Sequence, residues 1–389
     1  MNFFSNKKNI IDIVNTVKEV VGNKTIHLHE PSFNVKEAKY VNNCLRTNMV
    51  SSIGPYVNLF EKMVQDYTKS KYCIATSTGT SALHASLYLS GVISGDEVLM
   101  PSFNFIASAN ATIYLGASPI FLDIEKKTLG LDPFCLQDFL KNNTYQHSGK
   151  CINKKTNKII KALILLHTFG HPADLDKIIK ILRKHNILLI EDAAESIGSY
   201  YYGKHVGTFG TFGVLSFNGN KTITTGGGGM IMTNLKSAAK LARHIVNTAK
   251  VNHKWSYKYD QLGYNYRMPN INAAIGCAQI EKIEYFIKRK RKLFFRYKKK
   301  FNKFKNLVIF EEPKGCRSNY WLQTLIFNKP DEIFKKKLLK ACYDKKIYIR
   351  PAWNLLHTNM HLKKYQIDNL SKSNQIFSSL INLPSSSFL

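Results

Sequence analysis

The sequence predicts an α/β protein: a mostly parallel sheet covered by helices on both faces, followed by a smaller α+β domain. Three observations carry this. Apolar strand-like runs alternate with helical patterns over residues 70 to 233, and that alternation builds parallel sheets buried on both sides. Gly79, Phe105, His167 and Asp192 each fall just past the end of such a run, where open parallel sheets gather their ligands. At 389 residues the chain exceeds what one compact core usually supports, so two domains are expected. The boundaries read as a helical appendage over residues 1–25, a large domain over 26–281 and a small one over 282–389.

Residues 1–24 have the apolar spacing of a short amphipathic helix that packs on the body. An irregular lead-in, His27 to Phe33, precedes a helix from Val35 to Leu45. Gly54-Pro55 breaks the chain before a second helix, Tyr56 to Tyr67. The run from Lys71 ends in Ser77-Thr-Gly79-Thr80-Ser81, and a helix starts at once. Free amides at a helix start, two hydroxyls and a glycine form an anion cradle. On its own this segment reads as an ordinary Ser/Thr cap. It lacks the Walker lysine and a GxGxxG, so neither a P-loop nor a dinucleotide site is supported.

Strands are expected at Asp96–Met100, Ser118–Asp123, Ala162–His167, in the run ending on Asp192, and at Met230–Asn234. Residues 141–158 are polar and suit an exposed loop or hairpin. Asn252–Asp260 reads as a loop, and a small-residue helix starts near Pro269. From Lys282 the pattern is a long basic helix, strands at Leu307–Phe310 and Asn319–Phe327, a helix over Asp331–Tyr343 and a strand over Ile347–Arg350. His167 and His171 are four residues apart, but Gly170 and Pro172 forbid a helix between them, so no metal site is expected.

The chemistry-bearing stretch is Glu191-Asp192-Ala-Ala-Glu195-Ser196 with Ser216-Phe-Asn-Gly-Asn-Lys221 and the four glycines Gly226–Gly229. A lone aspartate after a strand is by default a cap or turn residue, and any one lysine is by default solvated. Together, an acid at a strand mouth and a lysine on a tight loop are what pyridoxal 5'-phosphate (PLP) chemistry requires. The lysine forms the Schiff base, and the acid keeps the pyridine nitrogen protonated.

These motifs, with Ser77-Thr-Gly-Thr-Ser-Ala-Leu83 and Gly263-Tyr-Asn-Tyr-Arg-Met268, identify the chain as similar to the DegT/DnrJ/EryC1/StrS sugar aminotransferases. The likeness runs from about residue 26 to the C-terminus. It implies the aspartate-aminotransferase fold (PLP-dependent transferase fold type I) with a seven-stranded sheet. It also implies roles: Lys221 as Schiff-base lysine, Asp192 as pyridinium partner, and Gly79, Thr80, Ser81 and Ser216 around the phosphate. Phe105 would stack on the ring, and Glu195 would stand near the ring hydroxyl where the family usually has Gln or His. Asn265 and, less centrally, Arg267 would reach a neighbouring subunit, implying a homodimer. Glu195, Gly207-Thr-Phe-Gly210, Thr224 to Met230, Thr248 to Val251 and Trp353 to His357 most resemble the LegC-type branch of legionaminic acid synthesis. The implied reaction passes the amino group of L-glutamate, through pyridoxamine phosphate, to C4 of a UDP-linked 2-acetamido-4-keto-6-deoxy sugar. A PLP-dependent dehydratase, in which histidine replaces the lysine, and a non-catalytic basic regulator are the alternatives.

Composition sets outer limits. The net charge of +30 is spread through the chain and densest in Lys288–Lys292 and Lys298–Lys300, where it alternates with Leu293, Phe294 and Tyr297. That is the wet face of an amphipathic helix, so nucleic acid is not an expected partner, although a basic surface would attract an anionic substrate. No signal-peptide core and no run of about 18 apolar residues appear, which points to a cytoplasmic protein without membrane partners. Seven cysteines without CxxC spacing suit neither a disulfide framework nor a zinc site.

Overall fold

The computed structural model describes residues 7–389. A seven-stranded sheet has the order Tyr72–Thr76, Gly229–Thr233, Phe212–Ser216, Leu188–Asp192, Ile160–Leu166, Glu97–Pro101, Ser118–Leu122. Gly229–Thr233 runs antiparallel to both neighbours, and every other neighbouring pair is parallel. The α/β class and mostly parallel sheet expected from the alternation are therefore present. The strands are buried on both faces because helices cover each side. One apolar layer holds Phe60, Leu163, Leu189 and Ile287, and the other Leu87, Val98, Ile164 and Ile231.

Local chemistry explains where the helices begin. Helix Gly79–Leu89 opens on a capping box in which the Thr78 side chain accepts from the Ser81 N–H, and the Ser81 hydroxyl accepts from the Thr78 N–H at 3.0 Å. Pro55 and Pro133 occupy first-turn positions of helices Pro55–Thr68 and Pro133–Asn143, where a missing N–H costs nothing.

A second, antiparallel sheet has the order Leu307–Ile309, Gln323–Phe327, Leu380–Leu383, Arg350–Pro351. Helices Ile283–Phe301 and Glu332–Asp344 pack on it. The N-terminal helix, Lys7–Val21, adds Ile10, Ile13, Val14, Val17 and Val20 to the same core. Residues 1–6 of the helix expected over 1–24 lie outside the described residues.

Several boundaries differ from expectation. The strand Phe212–Ser216 was not foreseen. The strand placed at Ile347–Arg350 lies at Arg350–Pro351, and Ile347 instead makes an isolated bridge to Ile26. The run from Asn319 becomes a strand only at Gln323, because residues 319–322 turn toward the large sheet. Residues 141–158 supply the end of a helix and a hairpin, Thr144–His147 with Lys150–Asn153. Within Asn252–Asp260, Lys258–Tyr259 pairs with Lys250–Val251. Among the described residues no helix is long and apolar enough to cross a membrane.

Candidate active site

One cavity of about 280 Å³ opens at the carboxyl ends of the parallel strands, lined by Thr78, Gly79, Thr80, Phe105, Asp192, Glu195, Ser216, Lys221, Trp321 and Trp353, among others. Its floor is tight. A Cβ on Gly79 would stand 2.9 Å from the Ser216 Cβ, and one on Gly229 would stand 2.3 Å from the Thr78 carbonyl oxygen. The helix start therefore lies against the strand end that carries Ser216, and amides and hydroxyls face one small space. That is a cradle for an anion.

Asp192 ends its strand and is buried. Its Oδ2 accepts from the Ser108 hydroxyl at 3.1 Å and its Oδ1 from the Ala194 N–H at 3.2 Å. Burial pushes its carboxyl above the ordinary aspartate range, against the pull of the Ala194 N–H and of Lys221. A cation placed against it would relieve that burial.

Glu195 is 3% exposed. Its Oε2 accepts from the Phe169 N–H at 2.8 Å, and its Oε1 stands 3.4 Å from the Lys221 Nζ. Burial raises its carboxyl to about 7, although Lys221 favours the charged form. The Lys221 amine also lies 4.0 Å from the centre of the Trp321 ring, an attractive arrangement for an ammonium. The Trp321 indole N–H donates to the Asn220 carbonyl at 2.7 Å, which fixes the ring beside the lysine loop.

The turn after Asp192 is clamped from the second sheet's side. The Asn319 amide donates to the carbonyls of Glu195 and Ile197 at 2.8 and 2.9 Å, and its oxygen accepts from the Trp321 N–H at 2.8 Å. A side chain at Gly170 (φ +97°) would collide with that oxygen at 2.0 Å. Asn319 and Trp321 lie about 100 residues beyond Lys221, and no spacing rule leads to them.

Two residues stand otherwise than expected. Ser81 does not line the cavity: its hydroxyl is engaged with Thr78 and Ser77, so it shapes the turn instead of facing a ligand. His167 follows its strand as expected, but its ring turns beneath the sheet. There Nε2 lies 3.1 Å from Glu191 Oε2, with both side chains fully buried. Asn265, expected to reach a neighbouring subunit, is exposed and lies outside this cavity. Gly79, Thr80, Phe105, Asp192, Glu195, Ser216 and Lys221 do meet there.

Comparison with known proteins matches this architecture. The chain is 39% identical over 344 residues to GDP-perosamine synthase of Escherichia coli O157:H7, covering 88% of this chain and 89% of that protein. It is 35% identical over 333 residues to GDP-perosamine synthase of Vibrio cholerae, covering 86% of each. Among solved structures, a DegT DnrJ EryC1 StrS aminotransferase from Brucella abortus superposes with a TM-score of 0.82 at 25% identity, over 91% of each chain. The aminotransferase TlmJ from Streptoalloteichus hindustanus superposes with a TM-score of 0.84 at 24% identity, over 94% of this chain and 95% of that one, a likeness of fold. The profile of the DegT/DnrJ/EryC1/StrS aminotransferase family matches residues 31–389. The chain thus belongs to the DegT/DnrJ/EryC1/StrS aminotransferase family, whose members are PLP-dependent enzymes.

Proposed function

We propose that this enzyme moves the amino group of L-glutamate to C4 of a nucleotide-linked 4-keto-6-deoxy sugar. The observation that carries this is the meeting of the Lys221 amine and the Asp192 carboxylate in one cavity beside the Gly79–Ser216 cradle. The residues present fit PLP. Thr80, Ser216 and the amides opening helix Gly79–Leu89 would hold the phosphate, Asp192 the ring nitrogen, Lys221 the aldehyde carbon and Phe105 a ring face. Bound PLP supplies an aldehyde that links to amines and a protonated ring that accepts an electron pair. Asp192 would keep a proton on the ring nitrogen. The Lys221 Nζ would move the proton, taking the α-proton of glutamate as general base and giving it back within the same pocket as general acid. Trp321 and Trp353, which line the cavity, would shield that transfer from water.

The two GDP-perosamine synthases favour GDP as the nucleotide. The UDP-linked 2-acetamido sugar of the LegC-type branch is the second substrate to test. Phe105 is 48% exposed at the cavity edge and Asn265 stands outside it, which suits a homodimer whose partner closes the site. Light scattering checks that assembly.

The assay incubates purified protein with PLP, L-glutamate and a panel of GDP- and UDP-linked 4-keto-6-deoxy sugars. Formation of 2-oxoglutarate and of the 4-amino sugar is measured. The expected result is both products with at least one sugar and no visible PLP–lysine absorbance in Lys221→Ala. Sugar deoxygenation without 2-oxoglutarate would establish a dehydratase instead. Salt-sensitive nucleic-acid binding without turnover would establish a regulator.

A further inference from the structure

The cavity has a second feature, a wall of aromatic rings. Trp353 lies in the segment after the edge strand Arg350–Pro351. That segment is docked onto the large domain: the Leu356 N–H donates to the Ser102 carbonyl at 2.9 Å, and the His357 Nδ1 lies 2.7 Å from the Ser102 hydroxyl. The indole is therefore held in place and not merely draped over the opening. Its ring centre is 5.0 Å from that of Phe169, 6.1 Å from Phe103 and 6.2 Å from Phe105. Phe103 and Phe169 are closed off from solvent at 1% and 0% exposure, whereas Trp353 is only partly buried and Phe105 is 48% exposed. The two open rings, Trp353 and Phe105, both line the cavity.

The indole packs against Phe169 and Phe103 yet stays partly open, and it lines the same cavity as Lys221. The ligand that suits such a surface has one apolar face and a polar rim. A hexose presents its axial C–H bonds on one face, and a 6-deoxy hexose adds a methyl group in place of a hydroxyl. Aromatic surface with a few placed polar groups is the usual lining of small-molecule pockets. We propose that Trp353 is a substrate-positioning residue that stacks on the sugar ring of the amino acceptor and holds its keto carbon toward Lys221. The proposal rests on the aminotransferase reading above and adds to it the residue that recognises the sugar.

The assignment separates the two halves of the reaction. Glutamate has no ring to stack, so the first half, followed by PLP absorbance with no sugar present, depends little on the indole. The second half depends on it. Trp353→Leu keeps apolar bulk but removes the aromatic face, and Trp353→Phe restores a smaller face. A lost stacking contact predicts a KM for the nucleotide sugar about tenfold higher in Trp353→Leu, with kcat at saturation within about threefold. In Trp353→Phe the KM should return to within about threefold of the unsubstituted enzyme. The glutamate half should change less than about twofold in either variant.

Three results would overturn the proposal. One is an unchanged sugar KM in Trp353→Leu. Another is no recovery in Trp353→Phe. The last is an equal loss in the glutamate half, which would place the indole in service of the cofactor or the fold. Failure of the underlying reading looks different: the unsubstituted protein would then show no absorbance change with glutamate at all.

Discussion

Replacing Glu191 by glutamine changes one atom of a buried side chain and should cost much of the protein's stability. Glu191 is 0% exposed and sits beside Asp192 on the same strand. Its Oε1 accepts from the Phe209 and Gly210 N–H groups, both at 2.7 Å. Its Oε2 accepts from the Gly207 N–H at 2.7 Å and lies 3.1 Å from His167 Nε2. Burial alone would raise this carboxyl, but the His167 hydrogen bond and the backbone N–H groups outweigh it and hold the group below its ordinary value. Glutamine can satisfy only one side. With its oxygen toward Phe209 and Gly210, its NH2 faces the Gly207 N–H, donor against donor. His167 cannot repair this by moving its proton, because its Nδ1 already accepts from the Ala173 N–H at 3.2 Å. One buried N–H left without an acceptor costs about 1–3 kcal/mol, and charge assistance is lost at the remaining bonds, each worth about 1 kcal/mol. The sum is about 3–5 kcal/mol. At roughly 2 °C per kcal/mol for a chain of this size, the melting temperature should fall by about 6–10 °C. Scanning calorimetry on matched holoenzyme preparations measures this. A fall below about 2 °C would refute the claim that these hydrogen bonds hold the 207–210 strap to the sheet.

Three further outcomes follow from the same geometry. Asp192→Asn keeps one oxygen to accept from the Ala194 N–H, and the Ser108 hydroxyl can turn to accept from the new NH2, but the charge proposed to keep the cofactor ring protonated is lost, so kcat should drop at least about 10³-fold with the fold intact by circular dichroism. His171 is buried between Phe310 and Tyr320 with both ring nitrogens unpartnered, and burial lowers it to about 3. The unfolded chain takes up this proton below about 6.5 and the folded one does not, so stability is full above that pH and is lost as pH falls toward 3. His171→Phe should flatten that part of a stability-against-pH curve from urea titrations and raise stability slightly at neutral pH. A Cβ on Gly213 would lie 1.9 Å from the Gly207 carbonyl oxygen. Because the obstacle is backbone, Gly213→Ala should cost about 3 kcal/mol or more and lower soluble yield, measured by expression and thermal shift.

Much of the fold could be read from the chain because its strands are short apolar runs followed by small or polar residues. Leu188–Asp192 and Ile160–Leu166 have no periodicity to misread, since both faces are covered. Phe212–Ser216 escaped notice because Gly213 interrupts it. That glycine is there for the close approach of Gly207, a long-range requirement that leaves no local mark. Lys221 and Asp192 were legible because their chemistry is unusual in that company. Ser81 reads as a ligand-facing hydroxyl, yet it caps its helix here; a hydroxyl at a helix start can do either, and only the backbone geometry decides. His167 was placed past the strand end, but a buried Glu191 needed a partner and drew the ring below the sheet. Trp321 and Asn319 come from a separate part of the chain, and their positions depend on how the second sheet docks. Neither propensity nor spacing encodes that.

Lys290, on the long basic helix, is fully buried without a carboxylate. Its ammonium donates to the carbonyl oxygens of Trp321 and Ser385, and desolvation drives its pKa well below the ordinary lysine value. Nearby, Tyr297 donates to the Pro384 carbonyl and Arg289 to those of Ser387 and Phe388. One helix thus grips residues 384–388 and the backbone of the indole that sits over Lys221. Trimming that tail would loosen a pocket wall more than 60 residues upstream in sequence, so a tag or truncation there is a perturbation of chemistry as much as of solubility.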